Sequence, residues 1–438
     1  MSNDTGPLNA DQALGLDKFK EWLATPFSSP TENHWFLLHG GPGVGKTYTV
    51  GHLQKFVHAF NEVANHIGLD IVNNTYYTAA TNDAAAVAGN ASGKDTTTLH
   101  KLYSLVPYTD YATNEKKLRR TSRNTIDRSL VVIDEVSQIN TYVRSIVNGA
   151  SRNCKFLLVG DKAQLLPVDG KPLIYANFEY EAELSIVERQ PTIDGVVHPI
   201  AELGNQLRKC VLQGAKVPAL PDSPYIEQIT TASEAHALYQ ALAEDPDLGI
   251  HKRVLAFTND RAIEINKYFR RLLRGTDIPA EGDLYLLNSP YINDNDELVV
   301  KQNTPINLVR KGTEATLQYF GGYAVTGYEW EFEVNGSAAP NLFHIEVKDK
   351  RELKAIRANL IADKNFYELA RLNNKIIDYR DPWASTIHKA QGRTLHTAVL
   401  DTHKIWEADK DTRNRLLLVG SSRPTDKLYI LGEWHEGS

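Results

Sequence analysis

The segment 40–47, which reads GGPGVGKT, constrains this chain more than any other stretch. It matches the phosphate-loop pattern G-x-x-x-x-G-K-[ST] at every defined position. The apolar run 35–38 before it predicts a buried strand, and residues 47–60 after it carry apolar side chains at helical spacing. Glycines let consecutive backbone N–H groups face a phosphate at a helix N-terminus, where the helix dipole favours anions. The segment therefore predicts a nucleoside triphosphate site rather than a chance glycine-rich turn.

We expect the whole loop to surround the phosphates of ATP. Its residues are Gly40, Gly41, Pro42, Gly43, Val44, Gly45, Lys46 and Thr47. Lys46 would reach the β- and γ-phosphates, and the Thr47 hydroxyl would bind Mg²⁺. Upstream, the Gln12 amide offers a donor and an acceptor that suit an adenine edge, although such a residue taken alone is more often a surface glutamine.

A second strong signal is the apolar run 130–133, which is followed by Asp134 and Glu135. The run predicts a buried parallel strand, and open α/β sheets bind ligands where such strands end. Asp134 would hold Mg²⁺, and Glu135 would activate the attacking water as a general base. After the next predicted strand, 155–159, Gln164 would sense the γ-phosphate. Arg189 is a candidate phosphate-reaching arginine, although a lone arginine is usually a surface residue.

Length and composition limit the class of protein. The 438 residues predict two to four domains. A net charge of −6 argues against a generally basic, DNA-coating protein, so nucleic acid would need a local channel. The polar N-terminus, the two cysteines without metal-type spacing and the absence of a long apolar run from the sequence predict a cytosolic protein without membrane contact.

Other stretches suit contacts with nucleic acid. Residues 106–128 interleave basic side chains with tyrosines, which suits a strand-separating hairpin, although a solvated charged excursion explains them equally well. The candidate wedge residues are Tyr108, Tyr111 and Leu118. Thr81 and Thr98 suit a phosphodiester contact or simple helix N-capping.

The second half of the chain predicts another α/β lobe without its own phosphate loop. Its strand, turn and helix pattern starts near residue 253 and resumes after residue 383. Between these parts, short alternating strands at 284–287, 307–309, 316–319, 328–334 and 342–347 predict a small β-barrel. Residues 349–375, which contain neither Gly nor Pro, predict a helical segment.

The ordered motifs, from Gln12 to Ile430, resemble those of superfamily 1 DNA helicases of the RecD-like group. This resemblance implies an α/β fold with two RecA-like parallel-sheet motor domains, a hairpin inserted in the first, and an SH3-like β-barrel with a helical arm inserted in the second. The implied boundaries are 1–190 for the first domain with its hairpin at 104–128, 191–279 with 380–438 for the second, and 280–379 for the barrel and arm.

The resemblance also implies roles for individual residues. Gly160 and Asp161 with Gln164 match a motif that couples ATP to DNA, and Arg189 and Arg423 match two arginine fingers. Gln391 and Gly392 match a second-lobe motif that joins the nucleotide to DNA. The implied DNA contacts are Thr81, Thr98, His100, Asn259, Thr386 and His388.

The implied function is that of an ATP-dependent DNA helicase, which moves 5′-to-3′ on single-stranded DNA and separates duplexes in replication, recombination or repair. Single-stranded and fork DNA are the expected partners, with replication or recombination proteins as further candidates, and we expect a monomer in the cytoplasm of a bacterium or a phage-infected host. The alternative is a nucleic-acid-stimulated ATPase that remodels protein–DNA complexes or RNA without processive unwinding. An RNA-directed motor also stays open, whereas a GTPase switch is disfavoured because it would not need the second lobe.

Overall fold

The computed structural model describes most of the chain, with short gaps. The described residues are 7–79, 96–110, 115–167, 170–186, 192–193, 195–276, 279–288, 291–292, 298–300, 304–318, 322–334, 337–338, 344–347, 350–376 and 379–438. None of the helices in these ranges is long and apolar enough to cross a membrane.

Within the described residues, six parallel strands form the sheet that carries the phosphate loop, and we call this sheet with its helices the first lobe. In spatial order the strands are Tyr180–Leu184, Trp35–Gly40, Lys155–Gly160, Ser129–Asp134, Asn74–Ala79 and Thr96–Thr98. Every residue of Trp35–Gly40 is buried, because a parallel sheet covered on both faces needs apolar side chains on both. Parallel strands end at one edge of the sheet, so Gly40, Asp134 and Gly160 come to that edge.

A second parallel sheet, of five strands in the described ranges, forms what we call the second lobe. Its strands are Ile226–Ile229, Pro424–Leu431, Leu395–Asp401, Lys252–Ala256 and Ala384–Thr386. The core of this lobe also takes in Ala163 and Leu165 of the first lobe, so an apolar contact joins the two lobes. The two parallel sheets confirm the predicted α/β class.

In the chain, an antiparallel sheet and the two helices Lys350–Ala362 and Phe366–Lys375 are inserted between the second-lobe strands Lys252–Ala256 and Ala384–Thr386. Its strands are Ser337–Ala338, Ala324–Val334, Pro305–Gln318, Leu284–Leu287 and Tyr379–Arg380, with His344–Val347 paired to Ala324–Val334. The smaller pairings are Leu105–Asp110 with Glu115–Arg120, Ile126–Asp127 with Ser151–Arg152, Thr192–Ile193 with Val196–Val197, and Tyr291–Ile292 with Leu298–Val300.

Helices flank the sheets, and several begin at residues whose side chains accept hydrogen bonds from the first turn. The α-helices are Ala10–Leu23, Lys46–Ile67, Leu99–Leu102, Thr141–Gly149, Pro199–Gln213, Ala232–Ala243, Asn259–Arg274, Lys350–Ala362, Phe366–Lys375, Ile387–Ala390 and Lys410–Ser421, and the 3₁₀ turns are Thr31–His34, Val136–Gln138 and Leu173–Tyr175. The first helix starts with a capping box in which the Asn9 and Gln12 side chains each bond the other residue's backbone N–H.

Three predicted boundaries were wrong, each for a local reason. The predicted strands 307–309 and 316–319 belong, as far as residue 318, to one strand, Pro305–Gln318, whose pairing shifts at two irregular points that interrupt the alternation. Residue 319 lies outside the described residues. The helical segment 349–375 is two helices, because Lys364 has a left-handed φ of 56° and Asn365 caps the second helix. The sequence from residue 70 onward also predicts a strand, but the strand begins at Asn74, since the backbone of Val72 bonds instead to the Asn61 side chain.

Candidate nucleotide site between the two lobes

The phosphate loop has the backbone that its glycines predict. Gly43 and Gly45 have left-handed φ values of 76° and 78°, which side-chain-bearing residues rarely adopt. At Gly40 the constraint is space, because a Cβ atom there would lie 2.4 Å from the Leu184 carbonyl oxygen. The helix Lys46–Ile67 starts directly after Gly45, so its N-terminus faces the loop.

Lys46 lies inside this loop. Its Nζ donates to the carbonyl oxygens of Gly40 at 2.9 Å and Gly41 at 2.7 Å. Burial lowers the pKa of Lys46, while the negative charges of Asp161 and Glu135 oppose that shift. A phosphate would compete with the two carbonyls for the Nζ protons, as the predicted role requires. Thr47 follows in the first turn of the helix and is exposed.

Gln12 lies beside the loop, and both ends of its amide have partners. Its Oε1 accepts from the Asn9 backbone at 3.1 Å, and its Nε2 donates to the Val44 carbonyl at 3.4 Å. The side chain is buried rather than a surface glutamine, with 2% of the residue exposed. Its role in reading adenine stays a prediction, and it would require exchanging these partners for the base.

The acid pair stands at the end of the strand Ser129–Asp134. Asp134 Oδ1 accepts from the Glu135 backbone N–H at 2.8 Å, and Glu135 has a left-handed φ of 53°. Burial raises the pKa of both carboxyls, and the positive charge of Lys46 opposes the shift at each. A further cation would stabilise the ionised pair, so these residues fit a divalent metal held with phosphate oxygens.

Gln391 connects the second lobe to this acid pair. Its Nε2 lies 2.8 Å from Gln164 Oε1, 3.3 Å from Ser137 Oγ and 3.4 Å from Glu135 Oε2. The residue is buried, and none of the described residues donates to its Oε1. Gly392 follows with a left-handed φ of 77°. The predicted site residues Glu135, Gln164 and Gln391 are therefore brought together, and Ser137 joins them without having been predicted.

Arg423 lies near the acids, but among the described residues its hydrogen bonds are all within its own lobe. Its guanidinium donates to the carbonyls of Val419 at 3.0 Å and Arg393 at 3.3 Å and to Ser422 Oγ at 3.0 Å. Burial lowers the pKa of Arg423, and the negative charges of Glu135 and Asp161 oppose the shift. The other predicted finger, Arg189, lies outside the described residues.

Two second-lobe arginines that sequence reasoning missed bind the coupling segment 161–164. Arg415, in the helix Lys410–Ser421, donates to the carbonyls of Lys162 and Gln164 at 2.7 Å each and is buried. Arg208, in the helix Pro199–Gln213, forms an ion pair with buried Asp161. The sequence features that could have indicated these two arginines are their positions next to apolar residues: one directly precedes the apolar run 416–419, and the other directly follows Leu207.

Two of the predicted DNA-contacting threonines cap helices, which was the alternative to a phosphodiester contact, and their contact with DNA stays a prediction. The Thr98 and Thr386 hydroxyls accept from backbone N–H groups at 3.1 Å and 3.3 Å, so both residues are helix N-caps. Burial lowers the pKa of both His100 and His388. Asn259 is exposed in the first turn of its helix. Thr81 lies outside the described residues.

A cavity lies beside the predicted site residues His388 and Gln391. It has a volume of about 300 Å³ and is lined by Gln138, Asn140, Leu165, Leu166, Pro167, His388 and Gln391. His388 and Gln391 therefore border one space, with Gln391 also bonded to the acid pair. A ligand in this cavity would contact the same amide that bonds Glu135 and Gln164.

The segment of the predicted hairpin contains an antiparallel pair of strands. Leu105–Asp110 pairs with Glu115–Arg120, with Asp110 opposite Glu115. Leu118 packs against the core of the first lobe, which suits an anchor of the hairpin. The side chain of Tyr108 and the whole of Tyr111 lie outside the described part, so the wedge role stays a prediction.

Comparisons with known proteins agree with the motif order. The family described as "AAA domain" matches residues 27–170. The ATP-dependent DNA helicase dda of Enterobacteria phage T4 is 22% identical over 436 residues, spanning 91% of this chain and 95% of that protein. The predicted resemblance to RecD-like superfamily 1 helicases is confirmed. The RecD subunit of the RecBCD enzyme of Haemophilus influenzae is 24% identical over 163 residues, which span 34% of this chain and 24% of RecD.

One solved structure described as two coordinating Pif1 helicases at forked double-stranded DNA aligns with a TM-score of 0.49 and 14% identity. The alignment covers 97% of this chain and 92% of the Pif1 chain.

Proposed function

We infer that this chain is an ATP-dependent DNA helicase. The observation that carries this function is the contact of Gln391 with Glu135 and Gln164, because it places second-lobe residues in the candidate hydrolysis site of the first lobe. A nucleotide site shared by two lobes can convert hydrolysis into relative movement of the lobes. Similarity to the phage helicase dda over 91% of the chain supports the same function.

We propose the following division of labour for ATP hydrolysis. Lys46 binds the β- and γ-phosphates, and Glu135 accepts the proton of the attacking water. Arg423 and Arg189 neutralise charge on the γ-phosphoryl oxygens. Thr47 and Asp134 would hold Mg²⁺, whose chemistry is to offset the charge that develops on the phosphates. Gln12 and the loop glycines position the nucleotide.

The DNA would bind across the edge where both lobes present polar side chains. Thr98 and His100 of the first lobe and Thr386 and His388 of the second are the proposed contacts within the described residues. Since Gln391 lines the cavity shared with His388, DNA on one side and the γ-phosphate on the other would act on the same amide. Closing on ATP and opening after hydrolysis would give the lobes alternate grips on the strand.

We further propose 5′-to-3′ movement, strand separation by the hairpin, an SH3-like closure of the inserted antiparallel sheet and the domain boundaries given above. The antiparallel pairing of Leu105–Asp110 with Glu115–Arg120 supports the hairpin. Unwinding of duplexes with a 5′ or a 3′ single-stranded tail measures polarity. Preferential unwinding from a 3′ tail would refute the proposed direction while leaving the motor intact.

Single-stranded DNA is expected to stimulate ATP hydrolysis strongly, and single-stranded RNA is expected to stimulate it much less. The physical reason is that strand binding across both lobes favours the closed arrangement in which second-lobe residues reach the nucleotide. Steady-state hydrolysis without nucleic acid, with DNA and with RNA measures this. Equal rates of ATP hydrolysis in all three conditions would refute the proposed helicase function.

A remodelling ATPase would give a different pattern. It would hydrolyse ATP in response to DNA but would leave fork substrates paired under multiple turnover. Strand-displacement assays on the same preparation therefore separate this second candidate from the helicase. The paired hairpin favours the helicase.

The pH dependence of hydrolysis should report the burial of Glu135. Burial raises the pKa of Glu135, so its carboxyl gains a proton at a higher pH than an ordinary glutamate does. A protonated carboxyl cannot act as a base, so kcat should fall as the pH is lowered. This fall should begin at a higher pH than the usual glutamate pKa of about 4 predicts. Measuring kcat at saturating ATP and DNA from about pH 5 to 8 tests this, with circular dichroism to verify folding. A kcat that stays constant from about pH 8 down to about pH 5 would contradict the assignment.

A further inference from the structure

The helix Pro199–Gln213 belongs to the second lobe by its packing. Its residues Ile200, Leu203 and Leu207 are buried in that lobe's apolar core. A Cβ atom at Gly204 would lie 3.9 Å from the Ser422 side chain, directly before the predicted arginine finger Arg423. The helix is therefore attached to the elements that would move with the second lobe.

Arg208 extends from this helix to the phosphate loop of the first lobe. Its guanidinium pairs with Asp161, of which 2% is exposed, while 17% of the Arg208 side chain remains accessible. A Cβ atom at Gly41 would lie 3.3 Å from both Cζ and Nε of Arg208, so the guanidinium rests against the loop backbone. The Gly41 carbonyl in turn accepts from Lys46 Nζ at 2.7 Å. Arg208, Gly41 and Lys46 thus form one continuous set of contacts.

We propose that Arg208 recognises the γ-phosphate of the triphosphate and that Asp161 holds it in position. This inference rests on the proposed function, since Lys46 is the group that reaches the β- and γ-phosphates in a phosphate loop. Because Lys46 would bind the β- and γ-phosphates, a guanidinium beside the Gly41–Lys46 contact would lie within reach of them. It has five N–H donors, so a bond to Asp161 leaves others for phosphate oxygens.

The competing interpretation is an ion pair that only joins the lobes. Buried ion pairs often contribute little net stability, because desolvation offsets their attraction. That interpretation explains the contact with Asp161, but it gives no reason for the guanidinium to lie against the loop backbone at Gly41. The two interpretations differ in one measurable quantity, the preference for a triphosphate over a diphosphate.

The decisive variant is Arg208→Gln, compared with Arg261→Gln as a matched control. Both arginines stand on second-lobe helices and pair with an aspartate of which 2% is exposed, but Arg261 pairs with Asp401 of its own lobe rather than with the segment 161–164. Equilibrium titration of each purified full-length protein with a fluorescent non-hydrolysable ATP analogue and with fluorescent ADP gives both dissociation constants. The ratio of the two constants is independent of the fraction of protein that is folded and active.

Arg208→Gln should weaken binding of the ATP analogue by about tenfold or more, the usual effect of losing a charge-assisted hydrogen bond. ADP affinity should stay nearly unchanged because ADP lacks the γ-phosphate, and Arg261→Gln should preserve the wild-type ratio. Equal weakening of both nucleotides by Arg208→Gln, or no change in either, would overturn the proposal in favour of a joining ion pair.

If Arg208→Gln fails to fold, Arg208→Lys supplies the same test. It keeps the charge but lacks the planar fork, so a smaller loss confined to the ATP analogue is expected. An unchanged ratio in the lysine variant would then count against γ-phosphate recognition. Failure of the helicase function would look different, because wild-type protein would bind both nucleotides normally while DNA failed to stimulate hydrolysis.

Discussion

Replacing Lys46 with alanine is expected to lower the rate of ATP hydrolysis by about a hundredfold to a thousandfold, the usual cost of removing one preorganised charge from a transition state. The Lys46 ammonium is held in the loop by the Gly40 and Gly41 carbonyls, so it is already positioned where the β- and γ-phosphates would lie. Steady-state hydrolysis with saturating single-stranded DNA measures the effect. Duplex unwinding should be lost in parallel, since it depends on hydrolysis.

Lys162→Ala is the matched control for this variant. Lys162 is another first-lobe lysine, but its Nζ pairs with Glu181 at 3.3 Å, and within the described residues it has no hydrogen bond to a loop carbonyl. Its replacement should change hydrolysis by less than about twofold, as expected for a partly exposed ion pair. DNA-stimulated hydrolysis that persists in Lys46→Ala would refute the assignment of the phosphate loop.

Replacing Glu135 with glutamine is expected to lower kcat by about a hundredfold to ten-thousandfold while ATP binding is kept. Glutamine has nearly the same shape, and its carbonyl oxygen can still accept from Gln391, but it cannot take a proton from water. Removing the negative charge near Lys46 and Arg423 also removes repulsion of the phosphates, so the affinity for ATP should hold or rise. Single-turnover hydrolysis and equilibrium nucleotide titration measure the two quantities separately.

Glu181→Gln serves as the control because this carboxylate lies on the same lobe but is about half exposed. It should leave kcat unchanged. If Glu135→Gln loses binding and hydrolysis to the same extent, Glu135 has a structural role through its contact with Gln391 rather than a role as a base.

The parts of the site that depend on neighbouring residues could be predicted from the sequence. Gly43 and Gly45 adopt left-handed φ values because the turn from strand to helix requires them, and the neighbouring residues in the sequence are enough to predict this turn. The acid pair follows from an apolar run that ends in two carboxylates, and both parallel lobes follow from repeated strand and helix patterns. The irregular pairing within Pro305–Gln318 was missed because a bulge interrupts the alternation on which strand prediction relies.

The contacts that join the lobes were decided only by tertiary structure. Arg208 and Asp161 are 47 residues apart, Gln391 and Gln164 are 227 apart, and Arg415 and Lys162 are 253 apart. No periodicity relates residues at such separations, since their meeting depends on how the helices Pro199–Gln213 and Lys410–Ser421 pack against the first lobe. The phosphate loop and the acid pair can therefore be predicted from the sequence, because each consists of consecutive residues. The choice of which second-lobe charges reach that chemistry belongs to the packing of the lobes, because only packing brings distant side chains within hydrogen-bond distance.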